Sequence, residues 1–148
     1  MIYNVLAHFH SVIRWLVLVS IILSLINALI KLNKKSLANC NDCIFNRLTM
    51  ILAHMQLILG LVLYFISPKV VFAAASMKDP FYRFFLVEHI LMMLIAIALI
   101  TFGHIKSDRL PNDDPRKYKR ILIYYGIAFV LIISAIPWPF RNLGGGWY

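Results

Sequence analysis

Four apolar runs joined by short, mostly basic connections leave this chain few ways to fold. They extend from about Val5 to Ile30, Leu48 to Ile66, Phe81 to Phe102 and Ile121 to Ile136. Each approaches the ~17–25 residues that cross a hydrocarbon layer, the fourth being a little short. Inside lipid a backbone must satisfy its own hydrogen bonds, so the runs are expected to be helices rather than strands. The expected spans are about 5–30, 48–66, 81–104 and 121–136. Short connections make neighbours antiparallel, and the expected fold is all-α: a single transmembrane domain over residues 1–148, built as an integral membrane four-helix bundle. Composition agrees about the solvent, with 61% of residues hydrophobic and 14% charged. A soluble domain carries about a quarter charged residues. A soluble enzyme, a secreted disulfide scaffold and a disordered tail are thereby excluded.

The basic excess gives the chain an orientation. The first connection and its flanks carry Lys31, Lys34, Lys35 and Arg47, and the third carries Lys106, Arg109, Arg116, Lys117, Lys119 and Arg120. Ten of the 15 basic residues therefore lie on one side. The positive-inside rule makes that side cytoplasmic and predicts an N-out/C-out topology. The formal charge of +9 then reflects topology and anionic lipid, and nothing beyond charge points to nucleic acid. The first run has no positive n-region and is long for an h-region, so it reads as a retained helix rather than a cleaved signal. The second connection, Ser67 to Pro80, is partly apolar and suits the outer interface. Pro137-Trp138-Pro139-Phe140 stops the fourth helix, with Trp138 as an interfacial anchor.

Against this background the ionisable residues inside the spans demand a reason. All five His lie in or at the end of an expected span: His8 and His10, His54, His89 and His104. Arg14 and Glu88, the sole Glu, accompany them. At about 1.5 Å rise per residue, His10 and His89 fall at similar depth on the outer side, and His54 and His104 on the inner side. His89 and His104 are separated by roughly 22 Å and about 60° around the helix. Two layers of paired imidazoles are what one or two haem b groups require, with His10 and His89 as outer ligands and His54 and His104 as inner ligands. His8 and His10 diverge by about 200°, so only one points inward. His10 shares a face with Arg14 at i,i+4 and is favoured.

Other roles follow from residue chemistry. Arg14 and Arg47 are candidate donors to haem propionates or a quinone. Gly60, Ala96 and Gly103 could let a macrocycle approach closely. Met50, Met55, Met92 and Met93 could pack on it or ligate it. Arg14 and Glu88 could form a buried ion pair, or Glu88 could relay a proton. An alternative metal site would use His8, His10, Glu88 and His89. Cys40-Asn41-Asp42-Cys43 has no second pair to complete a zinc site and reads as a reduced, unremarkable pair, with inter-subunit metal binding or a redox switch as the alternatives. Asp113-Asp114-Pro115 reads as a turn before the fourth helix, and Gly144 to Gly146 as a flexible end. No phosphate loop, nucleophile triad or nucleotide fingerprint is present.

The runs His8-Phe9-His10-Ser11 with Arg14-Trp15, Ala53-His54-Met55-Gln56-Leu57, Arg83-Phe84 through Glu88-His89, and Ile136-Pro137-Trp138-Pro139 resemble short bacterial four-helix membrane proteins labelled cytochrome-b-like. More distantly the arrangement is similar to di-haem cytochrome b561 proteins. It departs from them in taking two His from the third helix and one each from the first and second. The resemblance implies electron transfer in a bacterial inner membrane, between a quinol and a partner redox protein. The expectation is therefore a multi-pass b-type cytochrome, possessing haem b and working with quinone, other membrane redox subunits or a second copy of itself. The alternatives are a cofactor-free accessory subunit of a larger respiratory complex and a metal- or proton-handling membrane protein.

Overall fold

Helix α1 occupies Ile2–Lys34, α2 Asn41–Ile66, α3 Pro80–Asp108 and α4 Pro115–Ala135 in a computed structural model that describes residues 2–34, 41–141 and 143. Cys40, the side chain of Cys43 and Gly144 to Gly146 lie outside what is described, and with them the Cys-x-x-Cys and Gly-run readings. Among the described residues there is no strand, and four helices are long and apolar enough to cross a membrane. Their outer surfaces carry large apolar side chains, among them Val19, Ile58, Leu91, Ile95 and Val130. That surface is stable against lipid and not against water.

The helices overrun their apolar cores because the polar flanks are good helix material with proper caps. Asp114 opens α4 by accepting from the Arg116 N–H at 2.8 Å, and Pro115 follows at the first helical position. Asp79 and Pro80 repeat that device at the start of α3, where Asp79 accepts from the Phe81 N–H at 2.8 Å. An oxygen at the cap satisfies a donor the helix cannot, and proline has no N–H to waste there. The fourth span is therefore 21 residues rather than short. At its other end Ile136 takes extended geometry (φ −73°, ψ 131°), as a residue preceding proline is pushed to do.

Helix α3 is interrupted by one π-helical turn, Phe84–Glu88. There the His89 N–H reaches back five residues to the Phe84 carbonyl. The connection between α2 and α3 folds over the same end through a short 3-10 turn, Ala74–Met77, and buries Ser76.

Each helix packs on two neighbours: α1 on α2 and α4, α3 on α2 and α4. Helices α1 and α3 thus stand across the bundle from one another. The core is centred on Ile21, Ile100, Ile121, Tyr125 and Ala128, none of them exposed. Gly103 sets the closest approach of α3 and α4, since a Cβ there would lie 2.6 Å from Tyr124 Cβ. Small residues at helix contacts serve this purpose in membranes, so Gly103 accommodates a helix and not a macrocycle.

The half of the bundle toward the third connection is tied together by hydrogen bonds among the described residues. Tyr125 Oη donates to the Asn46 carbonyl at 3.1 Å, Ser24 and Thr49 hydroxyls pair at 3.1 Å, and Lys117 Nζ donates to Asn112 Oδ1 at 2.7 Å. The opposite half, where α1 begins and α4 ends, is open.

Candidate functional site

A cavity of about 520 Å³ occupies that open half. Its floor and walls are apolar, including Val17, Leu57, Met93, Ile97, Ile132 and Ile136. Its polar lining comes from three of the helices, including Tyr3, His10, Ser11 and Arg14 of α1, Gln56 and Tyr64 of α2, and His89 of α3. Lys69 and Ser67 reach it from the connection above. No Asp or Glu lines it among the described residues.

His89 is held from α4. Its Nδ1 lies 2.8 Å from the Ala135 main-chain oxygen. A carbonyl can only accept, so Nδ1 carries a proton, and in the neutral ring Nε2 is bare. The acceptor exists because of the tail. In a continuing helix the Ala135 carbonyl would receive an N–H from residue 139, which is proline and has none. The same cause frees the Ile133 carbonyl opposite Pro137, and Trp138 Nε1 fills it at 2.9 Å. Arg141 donates to the Ser134 carbonyl at 2.6 Å and lies over the Phe84 ring. The Pro-Trp-Pro segment thus ends α4 and hands one of its orphan carbonyls to His89.

His10 faces α2. Its Cε1 would lie 3.3 Å from a Cβ at position 60, so Gly60 leaves room for the imidazole. Gln56, one turn before Gly60, donates its Nε2 to the His10 main-chain oxygen at 2.9 Å. His10, His89 and the Arg14 guanidinium are within electrostatic reach of one another. Arg14 also lies over the Trp15 ring. His8 lines the cavity from an exposed position.

The other expected residues are placed elsewhere. Glu88 does not line the cavity; its carboxylate accepts from Arg83 Nε at 2.8 Å, not from Arg14. The π turn brings residues five apart into line, which an α-helical count does not anticipate. His54 is exposed on the outer face of α2, with its Nδ1–H donating to Met50 of the same helix at 2.8 Å. His104 is half-buried at the far end of α3, near Asp108, Arg47 and Lys117. The structure therefore does not bring His54 and His104 together: His54 is exposed on its own helix, and His104 lies among Asp108, Arg47 and Lys117. Arg47 is exposed at that far end. Among the described residues no three His, Cys, Asp or Glu side chains converge to hold a metal ion, so the four-residue set of His8, His10, Glu88 and His89 is not assembled. Of the methionines, Met93 lines the cavity, Met50 packs on the core, Met55 is exposed and Met92 lies by Ser134. Ala96 is core.

Sequence reasoning gave no role to Gln56, Tyr64, Lys69 or the Ala135 carbonyl. Gln56 had a signal, being a polar residue inside an apolar span four places from Gly60. Tyr64 Oη donates to the Leu86 carbonyl within the π turn at 3.0 Å, a partner that no helical periodicity announces. Comparison with protein-family models, curated proteins and solved structures finds no match.

Proposed function

We propose that this chain is a multi-pass b-type cytochrome of a bacterial inner membrane, carrying electrons between a quinol and a partner redox protein, with one haem b between His10 and His89. The observation that carries the reading is that imidazoles from two helices standing across the bundle line one apolar cavity at one depth. The residues fit the group. His89 presents a bare Nε2 because Ala135 holds its Nδ1–H, the outer-shell arrangement usual for a metal-binding imidazole. Gly60 clears space beside His10. Arg14 and Lys69 are cations among the lining residues, suited to two carboxylates. A haem bound there would supply a one-electron iron couple. The chain's own part is to fix both rings, exclude water with apolar walls and set the local charge.

Purified protein should show a Soret band and yield haem b in a pyridine hemochrome assay. Absence of both, from protein expressed with ample haem, would end this reading. A second reading is favoured by the neutral hydrogen-bonding groups on the wall, Tyr3, Asn4, Ser11, Gln56 and Tyr64. These would suit a quinone head group in a cofactor-free accessory subunit of a larger complex. Co-extraction of quinone with haem-free protein would select it.

A further inference from the structure

Among the polar side-chain atoms buried beside the cavity without a hydrogen-bond partner in the described residues are Nδ1 of His10 and Oε1 of Gln56. They belong to residues already in contact. The Gln56 amide must turn its NH2 toward the His10 main-chain oxygen, 2.9 Å away, because that oxygen cannot donate. This orientation is assigned by chemistry and leaves Oε1 as the second, unused arm of the same amide. The His10 ring lies along α2 with Cε1 and Nδ1 both turned to Gly60, the residue one turn beyond Gln56 on the same face. An acceptor and a ring nitrogen are thus buried on residues already in contact, each lacking the kind of partner that the other can supply. Leaving both unsatisfied in an apolar bundle is costly, and a hydrogen bond between them would remove the cost.

We infer that Gln56 is the positioning residue of His10: its Oε1 accepts a hydrogen bond from Nδ1–H, so that His10, like His89, keeps Nε2 bare toward the cavity. The two rings are then oriented by equivalent means, one through a side-chain amide of α2 and one through a main-chain carbonyl of α4. The inference extends the haem reading, since a bare Nε2 is what iron would bind. It concerns the protein alone, however, and is measured without haem.

The test is nitrogen NMR of histidine-labelled full-length protein in lipid nanodiscs, with no haem added and His10 assigned by loss of its signals in His10→Asn. The wild type should show His10 protonated at Nδ1 and bare at Nε2, with His89 as an internal standard of the same form. Gln56→Leu should shift the proton to Nε2 in a measurable fraction of molecules. Gln56→Glu, which keeps an acceptor, should hold it at Nδ1. Wild-type His10 protonated at Nε2 overturns the inference, as do His10 signals unchanged in Gln56→Leu or a Gln56→Glu protein protonated at Nε2. If Gln56→Leu does not fold, the wild type and Gln56→Glu decide. Protein that takes up no haem when haem is supplied, yet shows the expected tautomer, sinks the cytochrome reading alone.

Discussion

The Nδ1–H of His89 donates to the main-chain carbonyl of Ala135 at 2.8 Å, joining α3 to the last turn of α4. This bond links a buried imidazole to the proline pair that ends the chain's last span. It also explains why the cavity lies where it does, at the end where α4 cannot continue and the opposing helices need not close.

The first prediction separates the two expected histidine layers. His89→Ala should abolish the Soret absorbance, and His10→Ala should abolish it or convert it to a five-coordinate form. His54→Ala should leave it intact, because that ring faces outward and is engaged by its own helix. Haem should be found at one per chain. A ratio of two, or a spectrum lost in His54→Ala, would restore an inner site.

The second prediction concerns Pro139. Pro139→Ala supplies an N–H at position 139 that can compete for the Ala135 carbonyl. The His89 ring should lose part of its hold, seen as a shift and broadening of its Nδ1 signal. In haem-loaded protein the midpoint potential should move as well. Unchanged His89 signals would mean that the tail does not govern the acceptor.

A third prediction tests the α3–α4 contact. Gly103→Ala places a methyl 2.6 Å from Tyr124 Cβ, so the helices must part. Overpacking of this kind costs about 1–3 kcal/mol, and the melting temperature in detergent should fall. Gly126→Ala meets nothing within 4 Å and should be neutral or raise it. Equal effects at the two glycines would refute the contact.

A fourth follows from the cap of α4. The Arg116 guanidinium and N–H bonded to Asp114 hold its carboxyl below the usual carboxylate range. The folded value lies below the unfolded one, so this contribution is present at neutral pH and is lost as pH falls through the folded value. Asp114→Ala should speed amide exchange in the first turn of α4 at pH 7. The difference from wild type should shrink at the acidic end of the stable range.

The bundle was legible because four apolar runs admit one solution in lipid, and the outer pair was legible because His10 and His89 stand out in apolar surroundings. The inner pair failed for a definite reason. Depth follows from residue number, but the face that His54 presents depends on how α2 rolls against α1 and α3, and its neighbours Met50, Ile51, Met55 and Ile58 are apolar on either side. Hydropathy has no way to choose between such faces. Glu88 accepts from Arg83 and not from Arg14, and the π turn that brings residues five apart into line has no counterpart in an α-helical count. Carbonyl partners such as Ala135 carry no side-chain signature; here the two prolines were the sign, and they were read only as a stop.

The final prediction is the orientation of the cavity. In sequence, ten of the 15 basic residues belong to the first and third connections and their flanks, so the opposite end of the bundle, with the cavity, should face outward. Lys78, on the second connection, and Asp113, on the third, are both exposed and far from the core contacts. After Cys40→Ser and Cys43→Ser, a single cysteine at position 78 should react with a membrane-impermeant maleimide in intact cells. A single cysteine at position 113 should react only after the membrane is permeabilised. This outcome would place the proposed quinol and redox-partner contacts at the outer surface, next to His10 and His89. The reverse pattern would turn the cavity to the cytoplasm, and the donor and acceptor would have to be sought there.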